Sequence, residues 1–273
     1  MYRKITSLQN PLVKTIVRLQ EKAAERNSTG SFVAEGRREV SMALQNKFEV
    51  KNLIICPELF TADPLYPITM DSVEMEKVLE VSVEVYNKVA YRENAEGILM
   101  IGAFTKQTLA GLGCGNASLI LLLEGVEKPG NLGAILRTTD AARFDAILLC
   151  DSRVDIFNPN AIRASLGCVF SQNIIPCSNE EAFAWIESRG LNVFAASPDT
   201  PFVYHQTDLR QPCVLAFGAE DKGLSPFWLQ KASKVIKIPM AGQIDSLNVG
   251  VSVAIIAFEA LRQRQTATET PSL

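Results

Sequence analysis

Three loops of the chain combine glycine with polar side chains, and each loop follows an apolar segment about as long as a β-strand. They are residues 128–133, 218–225 and 242–248. Glycine allows a backbone to approach a ligand closely or to adopt a positive φ that a side chain forbids. In open α/β sheets, ligands bind beyond the carboxyl ends of the strands. The pattern therefore predicts a single ligand site built from the three loops.

The residue types argue against several familiar kinds of site. Gly218 and Gly223 have the spacing of a P-loop, but Leu224-Ser225 follows them instead of Lys-Ser or Lys-Thr. No Gly-x-Gly-x-x-Gly follows the apolar segment that ends at Leu123, which argues against a standard dinucleotide site. The single histidine, His205, leaves little room for a Ser-His-Asp triad.

Composition argues against a metal centre and a membrane segment. The six cysteines include no Cys-x-x-Cys pair, so we expect neither structural zinc nor a disulfide framework, and no bound metal. No apolar run reaches the roughly 18 residues of a membrane span, and residues 1–4 lead into polar sequence instead of a signal peptide. We expect a soluble, cytoplasmic protein with no membrane partner.

Charge is distributed unevenly along the chain. The net charge is −3, but residues 1–51 contain ten Lys and Arg against five Glu, a local charge of +5. A surface that faces phosphates, if the protein has one, should therefore lie near the N-terminus. A solvated helix face balanced by glutamates is the alternative that charge alone leaves open.

Arg137 is the charged side chain that most needs an explanation. Its neighbours Ile135-Leu136 and Thr138-Thr139 are uncharged, which predicts a partly buried guanidinium with a partner. Glu220, in a loop at the same predicted sheet edge, is the expected partner. An ordinary surface arginine is the alternative.

The periodicity of apolar residues predicts two domains. Strands separated by helices, including a helix within 70–81, predict a small α/β sandwich in residues 1–108. Apolar strands that alternate with helices, one of them at 134–143, predict a parallel sheet covered on both faces in residues 117–265. Glycine-rich residues 105–116 are the expected linker, and residues 263–273 are expected to be a disordered tail.

The three loops together resemble the motifs of the SpoU/TrmH family of RNA 2′-O-ribose methyltransferases, in the SPOUT superfamily. The order, spacing and content match over roughly residues 118–262. The matching residues are Pro129-x-Asn131-x-Gly133-Ala134-x-x-Arg137-Thr138, then Gly218-x-Glu220-x-x-Gly223-Leu224, then Ile238-Pro239-Met240-x-Gly242-x-x-x-Ser246-Leu247-Asn248-Val249-x-x-Ser252.

The N-terminal part is similar, more loosely, to the L30e/L7Ae-like substrate-binding domain that precedes the catalytic domain in members acting on ribosomal RNA. The similar pieces are Ile5-x-Ser7-x-x-Asn10-Pro11-x-Val13-Lys14, Phe32-Val33-Ala34-Glu35-Gly36 and Glu96-Gly97-Ile98-Leu99. Glu96 departs from the family, which more often has proline or a small residue there.

The resemblance implies a trefoil-knotted α/β catalytic domain, S-adenosylmethionine as methyl donor, a ribose 2′-hydroxyl of RNA as acceptor, and a homodimer. The residues that it places at the donor are Gly218, Ile238, Met240 and Leu247. Those that it places at the catalytic centre are Arg137, Asn131, Glu220, Ser246 and Asn248. Arg137 would lie at the 2′-hydroxyl with Glu220 orienting it. The resemblance implies no role for Asp245.

Ribosomal RNA of the 23S type is the expected substrate because of the two-domain layout. Transfer RNA as the substrate, or a non-catalytic RNA-binding protein of the same fold, are the alternatives. An unrelated nucleotide-binding α/β protein would require all three motif matches to be coincidental.

Overall fold

The computed structural model describes residues 2–68, 73–113, 115 and 118–268, which form two compact units. The first comprises the described residues up to Thr105 together with Asp155–Ser171, and the second comprises those of Lys106–Val154 and those from Gln172 onward. The domain limits 1–108 and 117–265 stay a prediction.

The secondary structure alternates along most of the chain. The strands are β1 (Arg3–Ile5), β2 (Ser31–Glu35), β3 (Val50–Ile55), β4 (Val78–Val81), β5 (Ile98–Ala103), β6 (Leu119–Glu124), β7 (Ala146–Cys150), β8 (Ile174–Cys177), β9 (Asn192–Ala196), β10 (Cys213–Phe217) and β11 (Lys234–Ile236). The α-helices are α1 (Pro11–Glu21), α2 (Ala23–Thr29), α3 (Arg37–Gln45), α4 (Val83–Val89), α5 (Pro129–Ala141), α6 (Pro159–Ala164), α7 (Asn179–Ser188), α8 (Pro226–Lys231) and α9 (Val249–Thr268).

The first unit is built on a five-stranded mixed sheet with the strand order β1-β4-β3-β5-β2. Strand β5 is antiparallel to both of its neighbours, and the other pairs are parallel. Helix α1 begins with Asn10, whose Oδ1 accepts the N–H of Leu12 at 2.9 Å. Val13, Ile16 and Leu19, at helical spacing, are the residues that it buries.

In the range 70–81, predicted to contain a helix, the described residues form a 3-10 helix of three residues, Met75–Lys77, but no α-helix. Residues 69–72 lie outside the described part, and Val78–Val81 form strand β4 between β1 and β3. A short apolar run does not by itself distinguish strand from helix, and here pairing with two strands satisfies its backbone. The next α-helix along the chain is α4, which follows the Ser82 cap.

A buried ion pair secures Asp155–Ser171 within the first unit. The side chain of Arg26 is 2% accessible, and its Nη2 lies 2.5 Å from Oδ2 of Asp155. The same guanidinium donates to the carbonyl oxygens of Leu19 and Gln20. Removing one partner from a buried pair leaves an uncompensated charge and costs about 3–5 kcal/mol.

The second unit has a six-stranded sheet, ordered β11-β9-β10-β6-β7-β8, in which every pair is parallel. All residues of the central strands β6 and β10 are buried. One face packs against Trp185 and Ile186 of α7 and Trp228 of α8. Helix α9 packs on α5 and on β10. The predicted parallel sheet is confirmed, and its loops of interest leave the carboxyl ends of β6, β10 and β11.

Two helices of this unit are longer than predicted. Helix α5 begins at Pro129 instead of residue 134, with proline at its first position. Helix α9 continues to Thr268, so the expected disorder is wrong for residues 263–268, and residues 269–273 lie outside the described part. Gln263 donates to the carbonyl of Thr207 and accepts the N–H of Leu209, which anchors this end.

Within the described residues, no helix combines the length and apolar character needed to cross a bilayer. In the same part of the chain, no cluster of His, Cys, Asp and Glu is placed to hold a metal ion.

Candidate functional site

Two cavities open where the three loops meet. The first, of about 400 Å³, lies between residues 196–199, the loop after β10 and the segment between β11 and α9. The second, of about 620 Å³, lies between the loops after β6, β7 and β10. Glu220 lines both cavities.

The four residues predicted to hold the donor are brought together. Gly218, Ile238, Met240 and Leu247 all line the first cavity. Ser246 lines it as well, and its hydroxyl donates to Oδ1 of Asp245 at 3.1 Å. Asp245, which had no expected role, therefore lies in the wall of this cavity.

Glu220 joins side chains from all three loops. Its Oε1 accepts a hydrogen bond from Nδ2 of Asn248 at 2.9 Å and another from Nδ2 of Asn131. Its Oε2 lies 2.5 Å from Nζ of Lys128, and this contact raises the pKa of Lys128. Lys128 is exposed, so the ion pair itself contributes little to stability.

The predicted pairing of Arg137 with Glu220 is wrong. Arg137 is exposed, and among the described residues it has no ion-pair or hydrogen-bond partner and lines neither cavity. The reason is the early start of α5, which puts Asn131 in the first helical turn. Six residues along a helix turn the side chain by about 600°, so Arg137 points about 120° away from Asn131. Glu220 is bonded instead to groups on the side of Asn131.

The two asparagines have different local roles. Asn131 does not cap α5, because the residue before that helix is Lys128. Asn248 immediately precedes α9 and its Oδ1 accepts the N–H of Gly250 at 2.9 Å, as an N-cap does. Its amide N–H₂ remains directed at Glu220, so one side chain both starts the helix and joins the loops.

Gly218 is required by a close backbone approach. A Cβ at this position would lie 1.9 Å from the carbonyl carbon of Gly223. The loop after β10 returns on itself there, with the N–H of Gly223 donating to the carbonyl of Ala219 at 2.9 Å. Gly223 has a φ of +65°, which glycine adopts at little cost.

The second cavity contains charged residues that the sequence patterns did not single out. Asp151 directly follows β7 with a φ of +47°, a conformation in which Asp is tolerated better than most residues. Partial desolvation and the nearby carboxylates of Glu180 and Glu124 raise its pKa. Arg153 and Lys222 line the same cavity. The available signal was position, since Asp151 is the first polar residue after an apolar strand.

Comparison with known proteins gives the family. Residues 118–258 match the model of the SpoU rRNA methylase family, and residues 10–100 match that of the MRM3-like substrate binding domain. The chain belongs to the SpoU rRNA methylase family. The part of the chain with the three loops and the N-terminal part therefore each match a known domain family.

Relatives match over nearly the whole chain. An uncharacterized tRNA/rRNA methyltransferase of Synechocystis sp. is 31% identical over 98% of this chain and 96% of its own length. The 23S rRNA (guanosine(2553)-2′-O)-methyltransferase RlmP of Bacillus subtilis is 27% identical over 94% of this chain and 98% of its own.

Solved structures match equally well. An AdoMet-bound rRNA methyltransferase from Sinorhizobium meliloti has a TM-score of 0.86 at 31% identity, covering 96% of this chain and 98% of its own. An RNA 2′-O ribose methyltransferase has a TM-score of 0.83 at 37% identity, covering 96% and 99%. The predicted fold, the enzyme class and S-adenosylmethionine as methyl donor are confirmed.

The first cavity suits S-adenosylmethionine in size and in charge. Its volume of about 400 Å³ lies within the range of small-molecule pockets. Ile238 and Leu247 offer apolar walls, and Asp199, Asp221 and Asp245 line the same space. S-adenosylmethionine carries a sulfonium and an ammonium cation, which carboxylates stabilise at close range.

We predict that Gly218→Ala weakens S-adenosylmethionine binding about ten- to a hundredfold. The added Cβ overlaps the backbone of Gly223, and relieving such overpacking costs roughly 1–3 kcal/mol. Calorimetric titration of the folded variant measures the effect. The matched control is Gly242→Ala, because a Cβ there meets no atom within 4 Å. Equal affinities for Gly218→Ala and the wild type would show that the loop does not need this close approach.

Proposed function

We propose that the protein transfers a methyl group from S-adenosylmethionine to a ribose 2′-hydroxyl of ribosomal RNA. The observation that carries this proposal is the convergence of Asn131, Glu220 and Asn248, one from each loop, beside a cavity suited to the donor. The 23S rRNA named for the B. subtilis relative supports ribosomal over transfer RNA. We also propose that the protein acts in the cytoplasm, together with its RNA substrate.

We infer that Gly218, Ile238, Met240 and Leu247 hold the donor, which supplies an electrophilic methyl group when bound. Glu220 fixes Asn131 and Asn248 between the two cavities, and Ser246 lies in the wall of the first. The second cavity then receives the acceptor nucleotide, where Lys128, Arg153 and Lys222 offer charge to its phosphates. Fixing both reactants in this way removes much of the entropic barrier.

Arg137 acts in this proposal by stabilising the alkoxide that develops on the ribose 2′-oxygen. A guanidinium stays protonated in proteins, so it is a hydrogen-bond donor and not a general base. Preorganised donors at a developing negative charge are among the largest contributions to catalysis. The proton of the hydroxyl would pass to phosphate or water.

A homodimer would explain why Arg137 lines neither cavity of its own chain. Helices α5 and α9 pack together, and Gly250 lies against Ala134, one turn before Arg137. Helix α9 exposes apolar side chains here and further along, since Val251 and Phe258 are each 48% accessible. We infer that pairing through these helices covers the apolar side chains and carries Arg137 to the acceptor cavity of the second chain.

Helix α1 offers a surface for the RNA backbone. Lys14 and Arg18 lie four residues apart on one face of the helix, and Lys22 directly follows its last residue. All three are exposed, and together they are called the basic stripe. They form no ion pair with the residues that the structure describes, whereas Arg26 and Arg37 pair with Asp155 and Glu96. We infer that the N-terminal segment binds the phosphates of RNA through this basic stripe.

We predict that cells lacking the protein lose 2′-O-methylation at ribosomal RNA, and that Arg137→Ala fails to restore it. The loss of one preorganised donor should reduce the rate at least about a hundredfold, while donor binding by calorimetry stays near the wild-type value. Nucleotide-resolution mapping of 2′-O-methyl groups measures the outcome, with Arg189→Ala as the control that restores methylation. A lost methyl group in transfer RNA alone would contradict the proposed substrate.

We predict that Arg137→Ala and Gly218→Ala chains complement each other when they are co-expressed. A mixed dimer contains one site with an intact donor cavity and an arginine from the other chain, so about a quarter of the wild-type rate should return. Each variant expressed alone is the control. If the arginine acts in its own chain, every site remains defective and no activity returns.

We predict that Lys14→Glu, Arg18→Glu and Lys22→Glu together weaken RNA binding and flatten its salt dependence. Each lost phosphate contact removes roughly 0.7–0.9 from the slope of log K against log salt concentration, so the slope should fall by about 2–3. Filter binding at several salt concentrations measures it. Lys77→Glu, at a lysine paired with Glu74, is the control; an unchanged slope for the triple variant would remove α1 from the RNA surface.

A further inference from the structure

Glu124 places a buried carboxylate at the sheet edge from which the three loops emerge. It is the last residue of β6 and is 7% accessible. Its Oε2 accepts the backbone N–H of Ser225 at 2.6 Å, and its Oε1 accepts Nδ2 of Asn179 at 2.8 Å. No cation of the described residues forms an ion pair with it. These two hydrogen bonds must therefore offset much of the cost of burying the charge.

Three hydrogen bonds fix the orientation of the Asn179 side chain. Its Oδ1 accepts Nε1–H of Trp228 at 2.6 Å, and its Nδ2 donates to Glu124 and to Oδ2 of Asp151. An indole nitrogen only donates and a carboxylate only accepts, so the amide cannot flip without losing all three partners. Trp228, fully buried in α8, is thereby connected to Glu124.

The bond to Ser225 holds one end of the loop that carries Gly218 and Glu220. The other end is held by the sheet, because Phe217 pairs with Leu123. Between these two ends, the only β-type pairing of the loop with described residues is the contact of Ala219 with Gly223. Glu124 lines neither cavity, so any effect that it has on the bound donor must pass through this loop or, by way of Asn179 and Trp228, through α8, whose Leu229 lines the first cavity.

We propose that Glu124 is a positioning residue for the methyl donor, which it serves by securing Ser225 and, through Asn179, helix α8. This inference rests on the proposed donor site in the first cavity. Its chemical basis is that a carboxylate has acceptor capacity for both donors that face it, whereas an amide in the same place has one acceptor oxygen and brings an N–H₂ group against a donor.

The test is the affinity of the Glu124→Gln variant for S-adenosylmethionine. We expect a dissociation constant about tenfold higher than that of the wild type. The single-turnover rate at saturating donor should stay within about threefold of the wild-type rate. A residue that served folding alone would lower the melting temperature and leave the affinity of the folded fraction unchanged. An unchanged affinity in folded Glu124→Gln would overturn the proposal.

The matched control is Ser118→Ala. Ser118 is buried just before β6, at the opposite end of the same strand, where its hydroxyl accepts the N–H of Gly115 at 2.8 Å. This variant should lose thermal stability without a change in donor affinity. A comparable loss of affinity in Ser118→Ala would show that general destabilisation is responsible, which would also overturn the proposal.

A second variant, Trp228→Phe, tests the proposed positioning role if Glu124→Gln does not fold. Trp228→Phe keeps most of the packing but removes the indole donor that orients Asn179, and we expect about threefold weaker donor binding. Wild-type affinity in this variant would overturn the proposal. Failure of the wild-type protein itself to bind S-adenosylmethionine would be a different result, because it would refute the proposed donor site and the inference with it.

Discussion

The site depends on a single carboxylate, in the loop after β10, that receives donors from the two other loops, which are distant in sequence. Glu220 accepts from Asn131 at the start of α5 and from Asn248 at the start of α9, and it pairs with Lys128. Each loop alone leaves its strand as a short, glycine-containing segment. Hydrogen bonds to an ionised acceptor are roughly twice as strong as neutral ones, so this group is well suited to connect them.

A second carboxylate, that of Glu124, holds the same loop from a buried position. Glu220 is partly accessible and faces the cavities, whereas Glu124 is buried beneath them and holds the end of the same loop. The loop after β10 is therefore fixed at both its exposed turn and its buried end. Such an arrangement limits the conformations of a segment that must approach its ligand through the bare backbone of Gly218.

The extent to which the sequence predicted this structure follows from what each pattern depends on. The loops were predictable because glycine and polar residues follow strongly apolar strands, and a parallel sheet brings such ends together. The partner of Glu220 was not predictable, because the identity of that partner depends on the exact first residue of α5. Placing that start at residue 134 instead of Pro129 left Asn131 outside the helix, whereas it lies in the first helical turn and Arg137 points about 120° away from it.

Other errors have similar physical origins. Three of the four residues of Val78–Val81 are apolar, and its neighbours β1 and β3, which decide its conformation, are far away in sequence. The polar C-terminal end of α9 lacks an apolar pattern, but hydrogen bonds from Gln263 and Arg264 to the backbone of residues 207–211 hold it as a helix. Asp151 could be found only by position, because nothing in its neighbouring residues identifies it.

The absence of an Arg137–Glu220 pair is consistent with the chemistry proposed for the arginine. A guanidinium in a bidentate pair with a carboxylate already uses two of its N–H donors, and its charge is partly compensated. Glu220 is occupied by other donors, so Arg137 keeps its N–H groups for an oxygen that becomes negative only during the reaction. Differential stabilisation of that kind accelerates the chemical step, whereas an arginine already neutralised in the resting state would contribute less.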